Sequence, residues 1–202
     1  MRRRIDFCFK GERVYIQGPD LVEGTMREVL SGEATGQVSN LVFVMNRLTG
    51  RNLDLVIDEE APLDRVPVAR LSFEAHGVPR RGSLLERADR PAGRRPYDEH
   101  ELRTGCRMDL PARAVMLQRA SPLTPIETLV AMTKALHLAL YPASSGQWLF
   151  ARLEAPTWPL GEPGSGLQIE LRQALGTRLT KSAARLCGNT LAWIYFSLKE
   201  RT

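Results

Sequence analysis

Apolar positions along the chain fall into two helical sets separated by shorter runs that alternate or cluster. From Pro19 onward, Leu21, Val22, Met26, Val29 and Leu30 recur at the three-and-four spacing of a helix. Gly18 is placed to cap its start, Pro19 suits the first helical position, and Ser31-Gly32 closes it. In the second set Ile126, Leu129, Val130, Met132, Ala135, Leu136, Leu138, Ala139 and Leu140 cover almost every side, the pattern of a helix that is buried rather than docked. Thr124 with Glu127 three residues on forms a capping box around Pro125, and Pro142 stops the helix.

Strand signals surround both sets. Val14-Tyr15-Ile16-Gln17 ahead of the first helix matches Val115-Met116-Leu117-Gln118 ahead of the second. After the first helix come Val38 to Leu48, Leu53 to Ile57 and Val66 to Ala75, with Thr49-Gly50 as a break. After the second come Trp148 to Leu153, a Pro/Gly-rich turn region from Pro156 to Gly166, and Leu167, Ile169 and Leu171 alternating with Gln168, Glu170 and Arg172. Arg178 to Leu186 and Thr190 to Leu198 follow, joined by a turn at Gly188-Asn189. Strand, helix and several antiparallel strands thus occur twice. The pattern predicts an α+β chain of two tandem units, each a central helix wrapped by an antiparallel sheet. Between the repeats, Arg80, Arg81, Arg87, Arg90, Arg94 and Arg95 crowd a stretch with Pro79, Gly82, Pro91, Gly93 and Pro96, which reads as a linker. The expected division is 1–90, a tether at 91–104, and 105–202.

Composition narrows the chemistry. With 202 residues, 43% hydrophobic and 25% charged, the chain has ordinary globular composition. Leu129 to Tyr141 is interrupted by Thr133, Lys134 and His137, so no membrane span is expected. Met1 to Asp6 lacks the apolar stretch of a signal peptide, and a cytoplasmic location is expected. The net charge of +5, rich in arginine, favours an acidic partner: a phosphate-bearing cofactor, an acidic carrier protein or nucleic acid. Nucleic acid ranks last, because Tyr97 is the only aromatic residue beside the basic cluster. Cys8, Cys106 and Cys187 stand far apart and are expected as reduced, partly buried thiols. His76, His100 and His137 have no spacing that shares a metal, and no nucleotide-binding glycine motif occurs, so neither metal nor cofactor is expected. A homo-oligomer is left open.

Two segments carry a resemblance. Pro125-Ile126-Glu127-Thr128-Leu129-Val130-Ala131-Met132 resembles the proline, apolar pair, glutamate and apolar helix of β-hydroxyacyl-carrier-protein dehydratases, and the strand from Asn189 through Leu191 to Phe196 resembles the last strand of such domains. Together they are similar to the hotdog fold of acyl-thioesterases and those dehydratases, closely over 107–198 and loosely over 5–88. The resemblance implies a double hotdog that binds an acyl thioester of coenzyme A or acyl carrier protein near the helix starts. It implies thioesterase-like or dehydratase-like activity, or a non-catalytic relative that binds an acyl group, a carrier protein or another protein. Where the dehydratases carry a histidine in a Gly-His-Pro context, this chain has Arg119-Ala120-Ser121-Pro122-Leu123.

The site candidates follow. Glu127 leads as base or water activator, with Glu23 as its counterpart on the other helix and His137 as a third candidate. Gly18, Asp20 and Thr124 are expected at substrate, since first-turn amides can donate to a thioester carbonyl. Each has a purely structural alternative: Glu127 completes the box with Thr124, Glu23 and Asp20 favour the helix dipole, and a lone core histidine is usually a hydrogen-bonded one.

Overall fold

The computed structural model describes residues 1–59, 65–98, 102, 104–176 and 178–200. These form two compact units, Met1–Asp98 with Pro156–Pro159, and Glu99–Ala155 with Leu160–Thr202.

Unit 1 holds β1 (Arg2–Ile5), β2 (Cys8–Lys10), α1 (Gly18–Leu30), β3 (Val38–Met45), β4 (Leu53–Ile57), β5 (Ala69–Ala75), β6 (Val78–Glu86) and β7 (Gly93–Arg95). Five of these strands make an antiparallel sheet in the order β1-β4-β6-β5-β3. The β5–β6 hairpin turns on His76-Gly77, whose φ values of 52° and 75° are the left-handed pair of a type I′ turn. Leu21, Val22, Met26 and Val29 turn the buried face of α1 onto the sheet, against buried positions such as Ile5, Leu41 and Phe43. The helix approaches closely at Gly24, where a Cβ would lie 2.8 Å from the Phe7 ring. β2 and β7 pair in parallel, Cys8 with Gly93, Phe9 with Arg94 and Lys10 with Arg95.

Unit 2 repeats the theme with β8 (Cys106–Asp109), β9 (Ala114–Leu117), α2 (Pro125–Leu140), β10 (Gly146–Trp158), β11 (Gln168–Leu175), β12 (Leu179–Leu186) and β13 (Asn189–Glu200). The strands run antiparallel in the order β10-β13-β12-β11-β9-β8. α2 packs on β9, β11 and β13. Its buried residues run from Ile126 to His137 and face all ways but one, marked by Leu138. The helix is therefore the core of its unit, as apolar residues on almost every side demand.

Several sequence expectations shift. Val14-Tyr15-Ile16-Gln17 is not a strand. Ile16 is fully buried and its amide donates to the Thr49 carbonyl, but no ladder forms, and apolar anchoring alone produced the strand-like pattern. The strands ahead of α1 are β1 and β2, masked by the charge of Arg2, Arg3 and Arg4, of which only Arg3 lies on the opposite face. The arginine-rich stretch is not a free linker: Arg80 and Arg81 lie in β6, and Arg94 and Arg95 lie in β7. Gln17, not Gly18, occupies the N-cap position of α1, and Gly18 is its first helical residue. β10 continues to Trp158, into only the opening residues of the Pro/Gly-rich region read as turn. The β12–β13 turn is Cys187-Gly188, at φ 50° and 82°, with Asn189 already in strand. Cys8 and Cys187 are exposed rather than partly buried, while Cys106 is half-buried and burial raises its thiol pKa.

Leu136 lies fully buried in the middle of α2. Leu136→Ala is expected to destabilise the protein by about 2–5 kcal/mol, the cost of a core cavity, measured by urea unfolding.

Candidate functional site

The two helices begin differently. At α2, Thr124 and Glu127 close a full capping box: the Glu127 amide donates to Thr124 Oγ1 at 3.5 Å, and the Thr124 amide donates to Glu127 Oε2 at 3.0 Å. The loop before it is laced down as well. Thr128 Oγ1 donates to Ser121 Oγ at 2.6 Å, and the Leu123 amide donates to the same oxygen at 3.1 Å. Glu127 is buried, and one carboxylate oxygen is committed to the backbone of its own helix start.

At α1 there is no such closure. Gln17 makes no side-chain cap, and Pro19 supplies no amide, so the first turn keeps open donors at Gly18 and Asp20. Asp20, only 6% exposed, is gripped through one oxygen. Lys10 Nζ and Arg95 Nη2 both reach Asp20 Oδ1, at 2.6 and 2.7 Å. The parallel β2–β7 pair sets these cations side by side, since Lys10 and Arg95 are register partners. Lys10 is 2% exposed and lies 4.9 Å from the Tyr97 ring centroid, which also receives Arg13 at 5.4 Å. Two buried polar atoms here have no hydrogen-bond partner: Asp20 Oδ2, an acceptor, and Gln17 Nε2, a donor. Thr25 Oγ1, on the same helix, is a third. Buried polar groups are nearly always paired, so these atoms stand out at this helix start, as Trp148 Nε1, Arg152 Nε, Ser182 Oγ and Arg185 Nε do elsewhere in the chain.

Glu23 is half-buried on α1, three residues beyond Asp20. His137 lies ten residues past Glu127, about 15 Å along the helix at 1.5 Å per residue. The two cannot exchange a proton directly. His137 is fully buried against Trp148 and Phe196, with ring centroids at 4.6 and 5.3 Å. Its Nδ1 lies 2.6 Å from the Thr133 carbonyl and its Nε2 2.6 Å from Thr180 Oγ1. A carbonyl only accepts, so Nδ1 carries the proton and Nε2 accepts from the Thr180 hydroxyl. A cleft of about 560 Å³ opens beyond it, at the end of α2 opposite Glu127, with Tyr141, Trp148, Thr180 and Leu198 in its wall. His76 pairs with Glu33 at 3.3 Å beside its turn, and His100 lies outside the described residues. Among the described residues no group of His, Cys, Asp and Glu could hold a metal, and no helix is long and apolar enough to cross a membrane.

Sequence reasoning thus named Asp20, Gly18, Thr124 and Glu127 but missed Lys10, Gln17 and Arg95. Gln17 was legible beside Gly18-Pro19. Lys10 and Arg95 were not, because only the strand pairing joins them to Asp20.

No protein-family model matches the chain, and no curated protein matches it by sequence. Solved structures do. A tesB protein of Mycobacterium avium subs paratuberculosis is 12% identical with a TM-score of 0.52, over 98% of this chain and 93% of that one. The pyran synthase domain from module nine of the sorangicin pathway is 13% identical with a TM-score of 0.50, over 100% of this chain and 94% of that one. Likeness over nearly the whole of both chains establishes the architecture: this is an α+β protein of the hotdog fold.

Burial, opposed by the Thr133 hydrogen bond, holds the His137 pKa below its ordinary 6.5, and Arg113 adds to the lowering. Well above pH 6.5 the imidazole is neutral in both states and contributes nothing to the pH dependence. Below it the unfolded chain takes up a proton that the folded protein resists, so stability falls with pH down to the folded pKa. Urea unfolding between pH 7.5 and 5.5 should show this decline in the parent protein and a flatter profile in His137→Gln; equal slopes would contradict it.

Proposed function

We propose that this protein binds an acyl thioester of coenzyme A or an acyl carrier protein and hydrolyses it at the start of α1. One observation carries the reading: Asp20 and Gln17 present a buried acceptor and a buried donor, both unpartnered, at a helix start whose first-turn amides are uncapped. The hotdog fold supports it, being the fold of acyl-thioesterases and acyl-carrier dehydratases.

In this chemistry Asp20 Oδ2 accepts a proton from a water as its oxygen attacks the thioester carbonyl carbon. Negative charge gathers on the carbonyl oxygen, where the Gly18 and Asp20 amides and the positive end of the helix dipole stabilise it. The C–S bond then breaks and the proton passes to the departing thiolate. Lys10 and Arg95 fix the carboxylate so that Oδ2 faces the reacting water. Glu127 serves the α2 cap in this reading, with Thr124, and Glu23 and His137 take no part. Dehydration is the weaker assignment, because the stretch from Arg119 to Leu123 holds no histidine and His137 lies far along α2.

A second reading, acyl binding without turnover, draws on the same absence of a histidine from Arg119 to Leu123. Its mark would be an acyl ligand retained through native mass spectrometry with no hydrolysis.

Hydrolysis of an acyl-CoA panel tests the proposal. Asp20→Asn should cut kcat by about 100-fold or more, the usual contribution of a positioned base, with the fold checked by circular dichroism. Glu127→Gln should leave kcat within about threefold and lower stability by about 1 kcal/mol through the weakened cap. Loss of turnover in Glu127→Gln with none in Asp20→Asn would reverse the assignment.

A further inference from the structure

Unit 1 carries a second feature on the face of its sheet that alternates with the buried one. Leu71 and Phe73 of β5 point into the core, so Arg70 and Ser72 point outward, as do Arg81 and Ser83 of β6. The register turns these into a square. Arg70 pairs with Ser83 and Ser72 with Arg81, placing the two arginines on one diagonal and the two hydroxyls on the other. Val44 and Val42 of β3 continue the two rows beside Arg70 and Ser72. These six residues line a cleft of about 390 Å³, floored by Leu71 and Gly82.

Neither arginine is paired, as is also true of Arg4 and Arg27 among the described residues of unit 1. Elsewhere in unit 1 Arg2 pairs with Asp54, Arg47 with Glu86, Arg80 with Asp58, Arg87 with Asp6 and Asp89, and Arg95 with Asp20. The Arg70 and Arg81 guanidinium groups make no hydrogen bond or ion pair among the described residues. Among the described residues the nearby acids are already engaged: Glu59, in the cleft lining, by the Met1 ammonium at 2.6 Å, Asp58 by Arg80, and Glu74, two residues along β5 from Ser72, by Asn40 at 2.9 Å.

We infer that this cleft is a binding site for an organic phosphate monoester, separate from the α1 start. Two guanidinium groups match the near-double charge of a phosphate monoester at neutral pH, and their forked donors with two serine hydroxyls suit its three terminal oxygens. A carboxylate would leave one cation unanswered. Val42 and Val44 give the ester's apolar body a place beside the anion. The same phosphomonoester could be a free metabolite or a lipid headgroup such as phosphatidic acid.

Titration calorimetry with phenyl phosphate, inorganic phosphate and benzoate tests the site on the full chain. Phenyl phosphate should bind about tenfold tighter than benzoate, and more weakly as salt rises from 50 mM to 500 mM. Arg70→Gln and Arg81→Gln, both at exposed positions, should each weaken it about tenfold, and Val44→Ser should weaken phenyl phosphate while sparing inorganic phosphate. Sedimentation with vesicles containing or lacking phosphatidic acid separates the sources: retention abolished by the double arginine variant assigns the lipid, and binding of phenyl phosphate alone assigns the free ester. No phosphate binding, affinity unchanged in the double variant, or equal affinity for benzoate would overturn the inference.

Discussion

The start of α1 is organised by a single buried carboxylate held by two cations. Burying Asp20 and Lys10 removes both from water, a cost of several kcal/mol per ion that only close pairing can offset. That pairing is supplied by strands rather than by the helix. β2 and β7 run in parallel and bring Lys10 and Arg95 onto one oxygen of Asp20. Because both cations reach the same oxygen, the other is left over, and the carboxylate acquires a fixed direction.

The two helix starts show how one scaffold can take opposite solutions. α2 satisfies its own end with Thr124 and Glu127 and ties the preceding loop to Thr128 through Ser121. α1 leaves its end open, with a glutamine that does not cap and a proline that cannot donate. A closed end contributes stability; an open one leaves its first-turn amides without a side-chain acceptor. The apolar character of α2 fits its part, because a helix enclosed by its own sheet has little use for an exposed polar terminus.

Much of this was legible in the chain because it is local. Periodicity located both helices, the Thr124–Glu127 spacing announced the box, alternation marked β11, and a run dense in aromatic and β-branched side chains marked most of β13. What escaped depended on partners distant in sequence. Arg95 looked like part of a solvated tether because its carboxylate lies 75 residues away. β1 was hidden by three arginines in a row, although Arg2 and Arg4 lie on one face, with Arg2 answered by Asp54, and Ile5 meets the core on the other. Ile16 misled in the opposite sense, since a buried apolar side chain in an irregular segment looks like a strand. Glu127 and Asp20 were equally visible as first-turn acids, and only the hydrogen bonds around them separate a cap from a candidate base.

The β2–β7 ribbon also sets what the Asp20 ion pairs depend on. Lys10 and Arg95 are carried by strands of three residues each, from segments near the two ends of unit 1, and neither strand belongs to the five-stranded sheet. Parting that small ribbon would separate both cations from each other while leaving every ladder of the main sheet in place. The electrostatics of this helix start thus hang on the least extensive strand pairing in the unit.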